Sequence, residues 1–176
     1  MDLPSFPTEL LATLSSRLTE EEAPFLPHLE RELRLEWLDP DSSSLGNTHF
    51  EMNHHDLFKR RRLRSPPGPV TIGLHPMLVD DEVLLRHTLV HELLHAAGLL
   101  EHTERHTKLA DEIAPPPTLS SSPVLRSLRE GAISASGEKY WVCASCGYEW
   151  ERQRAELLRC HESQVSVKYH DLGARA

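Results

Sequence analysis

One segment leaves this chain little structural freedom. Asp80, Asp81 and Glu82 are followed by VLLRHTLVHELLHAA, which contains neither glycine nor proline, and Gly98 closes the run. Acidic residues favour the positive end of a helix, and Asp80 can accept hydrogen bonds from the free N–H groups of the first turn. Glycine readily adopts the left-handed backbone that ends a helix. The spacing predicts a long helix ending at Gly98. Within it, HELLH places His91 and His95 four residues apart, on one face and one turn apart, so that two imidazoles can hold one tetrahedral ion. Glu92, beside the first, faces the position left open. Zinc at such a site lowers the pKa of its water from about 15.7 to roughly 7, and a neighbouring carboxylate can pass that proton to a leaving amine.

With 12 histidines and 19 glutamates in 176 residues, chance supplies this spacing about 0.09 times. The capped apolar helix around it and the histidines that follow favour a metal site over coincidence. His87 also stands four residues from His91, but Thr88 offers no base, so His87 reads as a supporting or surface residue. A third ligand is required, and Glu101, His102 and His106 are candidates. On an unbroken helix His102 would lie ~10 Å beyond His95 at about 1.5 Å per residue, too far to share its ion. The chain must therefore turn back, and Gly98 permits it, which would bring His102 into the site just ahead of the next helix.

Elsewhere the pattern is mixed. Leucines 10, 11, 14 and 18 have helical spacing over Thr8 to Glu22, and PFLPHLERELRL starts a second helical turn or two. LRLEWL (33–38) alternates as a strand, DPDSSSLG follows as a loop or hairpin, and a second strand is expected around Thr48 to Met52. Val70, Ile72 and Leu74 alternate as a further strand. A helix over Thr103 to Ile113 stops at Pro115, Pro116 and Pro117, which cannot continue its hydrogen-bond ladder. The Pro/Ser-rich stretch 114–137 reads as a linker before an aromatic, cysteine-bearing tail.

The run VTIGLHPMLVDDEVLLRHTLVHELLHAAGLLEHTERHTKLADEI resembles the SprT-like (Spartan-type) zinc metalloprotease family: a strand and turn, the HExxH helix, a short loop, then a histidine opening a helix. LRLEWLDPDSSSLGNTHF is a looser match to the family's preceding hairpin. The resemblance implies His91 and His95 as zinc ligands, Glu92 as general base and His102 as third ligand, with His106 as runner-up. Leu109, Glu112 and Ile113 align with the family's "HGxxFxxLxxEI", whereas Thr103 replaces the usual glycine and His106 the usual aromatic. The metzincin pattern HExxHxxGxxH keeps Gly98 in register but finds Glu101 in third place, and so fits less well.

YWVCASCGYEW followed by LRCHE resembles the zinc ribbon found after this catalytic domain. Cys143 and Cys146 form a knuckle and Cys160 follows at ribbon distance. Ser163 stands where a fourth cysteine is usual, leaving His161 or His170 to complete a structural site. The tail's aromatic residues suit a small core better than base stacking. Although the net charge is −8, KRRRLR supplies Lys59, Arg60, Arg61, Arg62 and Arg64 without an acid. These read either as a solvated loop beside the acidic N-terminal part or as phosphate contacts, and resemblance to DNA-associated proteases favours the second.

The expectation is an α+β fold, N-terminal helices and a small sheet packed on the HExxH helix, followed by a zinc-ribbon-like tail. Its boundaries are a metallopeptidase domain over 1–113 with its core at 33–113, the linker 114–137, and the tail 138–176. The expected activity is zinc-dependent cleavage of protein substrates, by resemblance proteins bound or crosslinked to DNA, with one catalytic and a second structural zinc. The alternative is a metal-bound but inactive DNA-binding or regulatory protein on the same scaffold. No apolar stretch approaches the roughly 20 residues that span a bilayer. MDLPSFPTEL lacks the basic patch and apolar run of a secretory signal, and three cysteines cannot close a disulfide framework. The sequence thus predicts a cytoplasmic protein, or a nucleoid or nuclear one if DNA-associated. No feature of it sets an oligomeric state.

Overall fold

The alternation of Val70, Ile72 and Leu74 makes β3 (Val70–Leu74) the centre of a three-stranded sheet, with all three side chains buried. A computed structural model of the chain describes residues 6–135, 140–142 and 149–151. β1 (Leu33–Trp37) runs parallel to β3, pairing Leu33 with Val70 and Trp37 with Leu74. β2 (Gly46–Phe50) runs antiparallel to β3, pairing Gly46 with Leu74 and Phe50 with Val70. The expected hairpin of the first two strands does not form. Each lies on its own side of β3, because the apolar central strand is the one that must be covered along both edges.

With α1 (Thr8–Arg17), α2 (Leu29–Glu32), α3 (His54–Leu63), α4 (Glu82–Ala97), α5 (Glu104–Ile113) and α6 (Pro123–Ala135), the described residues make an α+β architecture. Nine of the sixteen residues of α4 are buried, as befits a helix at the centre of a core. Leu10, Leu11 and Leu14 of α1 and Leu29 of α2 join the same core. α1 ends at Arg17, five residues short of expectation. Thr19 and Glu22 explain the stop: the Glu22 carboxylate accepts from the Thr19 N–H at 3.1 Å, and Thr19 Oγ1 accepts from the Glu22 N–H at 3.3 Å. That reciprocal pair is a capping box, which starts a new turn.

Two further expectations are corrected. KRRRLR is not a loop but the last part of α3, whose N-cap Asn53 accepts from the Asp56 N–H at 2.9 Å. The stretch from 114 to 125 is no free linker either, since Ala114, Ser122 and Val124 are buried and α6 begins inside it. Asp81 rather than Asp80 caps α4, accepting from the Leu84 N–H at 3.0 Å, because Pro76–Asp80 is already wound as a 3₁₀ turn. Buried Asp81 also accepts from the Ser122 hydroxyl, whose oxygen in turn accepts from the Leu125 N–H at 3.0 Å. One carboxylate therefore fixes the starts of two helices.

The chain divides into two units, Met1–Leu125 and Arg126–Ala176. In the second, β4 (Tyr140–Val142) pairs antiparallel with β5 (Glu149–Glu151), setting Trp141 opposite Trp150. Among the described residues no helix is long and apolar enough to cross a membrane.

Asp81→Ala removes the cap of α4 and strands the Ser122 hydroxyl in the core, which predicts a loss of about 2–4 kcal/mol from a cap term of ~1 and an unmet buried group of ~1–3. Urea unfolding monitored by circular dichroism measures it, with Asp80→Ala as the near-neutral control.

Candidate metal centre

α4 delivers His91 and His95 on successive turns, and the way α4 ends decides what else reaches them. Gly98 has φ +113°, in the left-handed region. The Leu99 N–H donates to Leu94 O at 3.0 Å and the Gly98 N–H to His95 O at 2.9 Å, the paired bonds of a Schellman motif. A side chain at Gly98 would also meet Pro24, with its Cβ 3.0 Å from Pro24 Cδ. This turn aims the Leu99 carbonyl at His95, which lies 2.8 Å from it through Nδ1. With Nδ1 donating there, the lone pair of His95 sits on Nε2, the atom that faces the other histidines.

After the turn, His102 arrives just ahead of Thr103, which caps α5 by accepting from the His106 N–H at 3.2 Å. The residue that departs from the family's glycine is thus a helix cap. His102 Nε2 lies 3.0 Å from His91 Nε2 and 3.1 Å from His95 Nε2. At that spacing from each, His102 Nε2 is within reach of an ion that His91 and His95 hold, whose ligands stand about 2.0–2.1 Å from it.

His106 approaches from within the core. Its ring stacks on His95 with centroids 4.3 Å apart and meets His91 edge-on at 4.5 Å. His91, His95 and His106 each offer a ring nitrogen within 4.8 Å of the other two, so this trio, half-buried but for fully buried His106, could hold a metal ion. His102 and His106 therefore both flank the HELLH pair, one exposed and one buried.

Burial first, then the neighbouring histidines, holds His91 at a pKa of about 4, and the same causes hold His106 at about 4. His95 is also lowered, chiefly by burial. At neutral pH these rings keep lone pairs free for a cation, a donor set that suits zinc and other borderline metals.

Glu92 is buried, and burial pushes its carboxyl above the usual carboxylate range, offset in part by a hydrogen bond from Thr48. Thr48 Oγ1 lies 2.8 Å from Glu92 Oε2 and 3.0 Å from the Glu92 backbone oxygen, so its one proton serves either acceptor. β2 can lie this close to α4 because residue 46 is glycine. A Cβ there would sit 2.7 Å from Thr88 Cγ2 and 2.9 Å from Glu92 Oε1. Sequence reading missed both Thr48 and Gly46; a glycine opening a strand is the one signal of such close approach.

Beside the histidines lies a groove of about 310 Å³ whose walls include Thr48, Phe50, Leu57, Phe58, Leu100 and His102. His87, expected to play a supporting part, has Nδ1 2.7 Å from the Ala114 carbonyl and ties α4 to the end of α5.

The basic cluster fares differently. Arg61 Nε donates to the Gly98 carbonyl at 2.7 Å, Arg60 to the Pro66 carbonyl at 2.8 Å, and Arg64 pairs with Glu21 at 2.8 Å. Only Lys59 and Arg62 of the five remain exposed without a bonded partner among the described residues. The four expected ligands of the tail, Cys143, Cys146, Cys160 and His161, lie outside the described residues, as does His170.

No protein-family model matches this sequence, and no curated protein is similar to it. What the centre can do rests on its own residues.

In the unfolded chain a histidine titrates near 6.5, whereas folded His106 does so at about 4. Between these values the unfolded state takes up a proton that the folded ring refuses, so stability falls as pH drops from 6.5 towards 4. Metal-free wild type should therefore lose stability over this range more steeply than His106→Leu. Glu92 acts in the opposite sense in both proteins. Urea midpoints at pH 7.0, 5.5 and 4.5 (chosen within about that window) provide the comparison.

Proposed function

We propose that this protein is a zinc-dependent endopeptidase of SprT-like type, a zincin in which α4 carries the metal pair and the base. The observation that carries the reading is the convergence of the His91, His95 and His102 Nε2 atoms next to a buried glutamate and an open groove. The trio that shares His91 and His95 and adds buried His106 also supports the metal half of the proposal.

A zinc ion held by these imidazoles supplies a Lewis acid for the scissile carbonyl and lowers the pKa of water. The chain's own residues do the rest. The groove beside His95 and His102 receives an extended protein segment, with Phe50, Leu57 and Phe58 offering apolar surface to its side chains. Glu92 takes a proton from the attacking water and delivers it to the leaving amine, and its raised pKa suits it to both halves of that transfer. Thr48 holds the carboxylate on the helix side of the groove through its 2.8 Å bond and keeps it from rising further out of the ionised range. Leu99 O keeps His95 Nε2 free of its proton.

Protein bound or crosslinked to DNA is the substrate class that the resemblance suggests. Support for it from the basic cluster narrows to Lys59 and Arg62, because Arg60, Arg61 and Arg64 are bonded within the protein. A metal-bound DNA-binding regulator without catalysis is the alternative, and it predicts salt-sensitive DNA binding that is indifferent to Glu92.

Glu92→Gln should lower cleavage of a flexible protein substrate at least about 10²-fold while leaving zinc content unchanged, and chelation should abolish the remainder. Equal cleavage by both forms, assayed with and without DNA, would remove Glu92 from the mechanism. Thr48→Val withdraws the bond that lowers the Glu92 pKa, so that pKa rises. The carboxylate form is then lost at a higher pH, and the acid limb of kcat/KM should move upward.

A further inference from the structure

His106 presents a physical problem that a three-histidine centre does not solve. It is fully buried, and among the described residues neither Nδ1 nor Nε2 has a partner in hydrogen-bond geometry. The His91 carbonyl is near enough to favour the protonated ring, but it is not in bonding geometry. An imidazole must carry at least one donor or acceptor nitrogen that wants a partner, and leaving it unmet in a core costs stability. An apolar residue of similar size would avoid that cost. α5 nevertheless presents this ring to the HELLH pair, capped in place by Thr103. The four ring centroids of His91, His95, His102 and His106 stand 4.3–5.4 Å apart in every pairing, a compact tetrahedral array.

We propose that His106 is a metal ligand in its own right, completing a four-imidazole centre in which exposed His102 is the exchangeable member. This rests on the reading of His91 and His95 as metal ligands and deepens it. Three of the rings issue from helices, and His106 has no solvent with which to replace a lost bond. His102 is exposed in the segment between Gly98 and α5, has water at hand, and among the described residues is hydrogen-bonded through its ring only to His91 and His95. A tetrahedral ion already holding four nitrogens has no place for a substrate oxygen or water until one leaves. By burial and attachment, His102 leaves at the lowest cost. The helix-borne trio then retains the ion, and the vacated position faces the groove that His102 lines.

The test uses the full chain labelled with ¹⁵N in its histidine rings and loaded with ¹¹³Cd²⁺, with heteronuclear NMR recording which rings couple to cadmium. The expected result is a His106 ring coupled to the same cadmium resonance as His91 and His95, identified by its disappearance in His106→Leu. His102→Ala should keep cadmium coupled to His91, His95 and His106, with affinity lowered at least about tenfold but not abolished, since even outer partners of a metal site are worth 10–100-fold. A wild-type His106 ring that shows no cadmium coupling overturns the proposal, as does complete loss of bound cadmium in His102→Ala. Because the first readout needs only wild-type protein, a poorly folding variant cannot obscure it. Absence of cadmium coupling to every histidine ring would overturn the underlying metal reading as well, whereas coupling to His91, His95 and His102 without His106 would overturn this inference alone.

Discussion

The left-handed turn at Gly98 is the constraint on which the rest of the centre depends. Three parts of the chain that are distant in sequence meet there. The Phe25 N–H donates to the Ala97 carbonyl at 3.1 Å, Arg61 donates to the Gly98 carbonyl, and Pro24 lies where any side chain on residue 98 would have to go. A helix end leaves carbonyls unpaired, and here they are met by the helix's own turn and by two other segments. Because the turn is held from outside, the Leu99 carbonyl has a fixed direction, and through it so does the His95 ring. The same reversal brings His102 back to the ion-binding face instead of a further turn away.

Around this turn the protein gathers imidazoles that burial keeps neutral. Proximity of the rings and removal of water act in the same direction, each disfavouring the charged form. Such a cluster gains nothing by itself from being together, since neutral rings with unmet nitrogens pack less well than aliphatic side chains would. A cation could serve as a shared partner for His91, His95 and His106, and its binding would then be linked to folding. Glu92 shares this environment but responds in the opposite way, holding its proton more tightly. One cause thereby moves the imidazoles away from neutral pH and Glu92 towards it.

Much of the framework was legible because it is local. The alternation of Val70, Ile72 and Leu74, the unbroken run of α4 and the glycine at 98 depend on residues a few positions apart, and the structure carries each where the pattern indicates. The failures arose where distant partners decide. α3 has a single buried side chain, Leu57, and a face of cations, so its periodicity offers little sign of a helix; its Asn53 cap and the carbonyls of Gly98 and Pro66 hold it. The first two strands look like a hairpin until β3 supplies an edge for each. Val124 and Ser122 lie in a proline- and serine-rich stretch whose composition says linker, and the carboxylate of Asp81 reveals their place only in three dimensions.

By itself the sequence determined the spacing of His91, Glu92 and His95 on one helix and the bend after them, because helical geometry and the freedom of glycine do not depend on context. Tertiary structure decided everything that reaches this helix from elsewhere: Thr48 on Glu92, the close approach that Gly46 permits, Arg61 on the terminal carbonyl, and two further histidines beside the pair, one exposed and one buried. Those contacts depend on which strand lies against α4 and where α5 starts. They are settled when the whole core packs, by burial and hydrogen-bond satisfaction acting across segments that no local pattern relates.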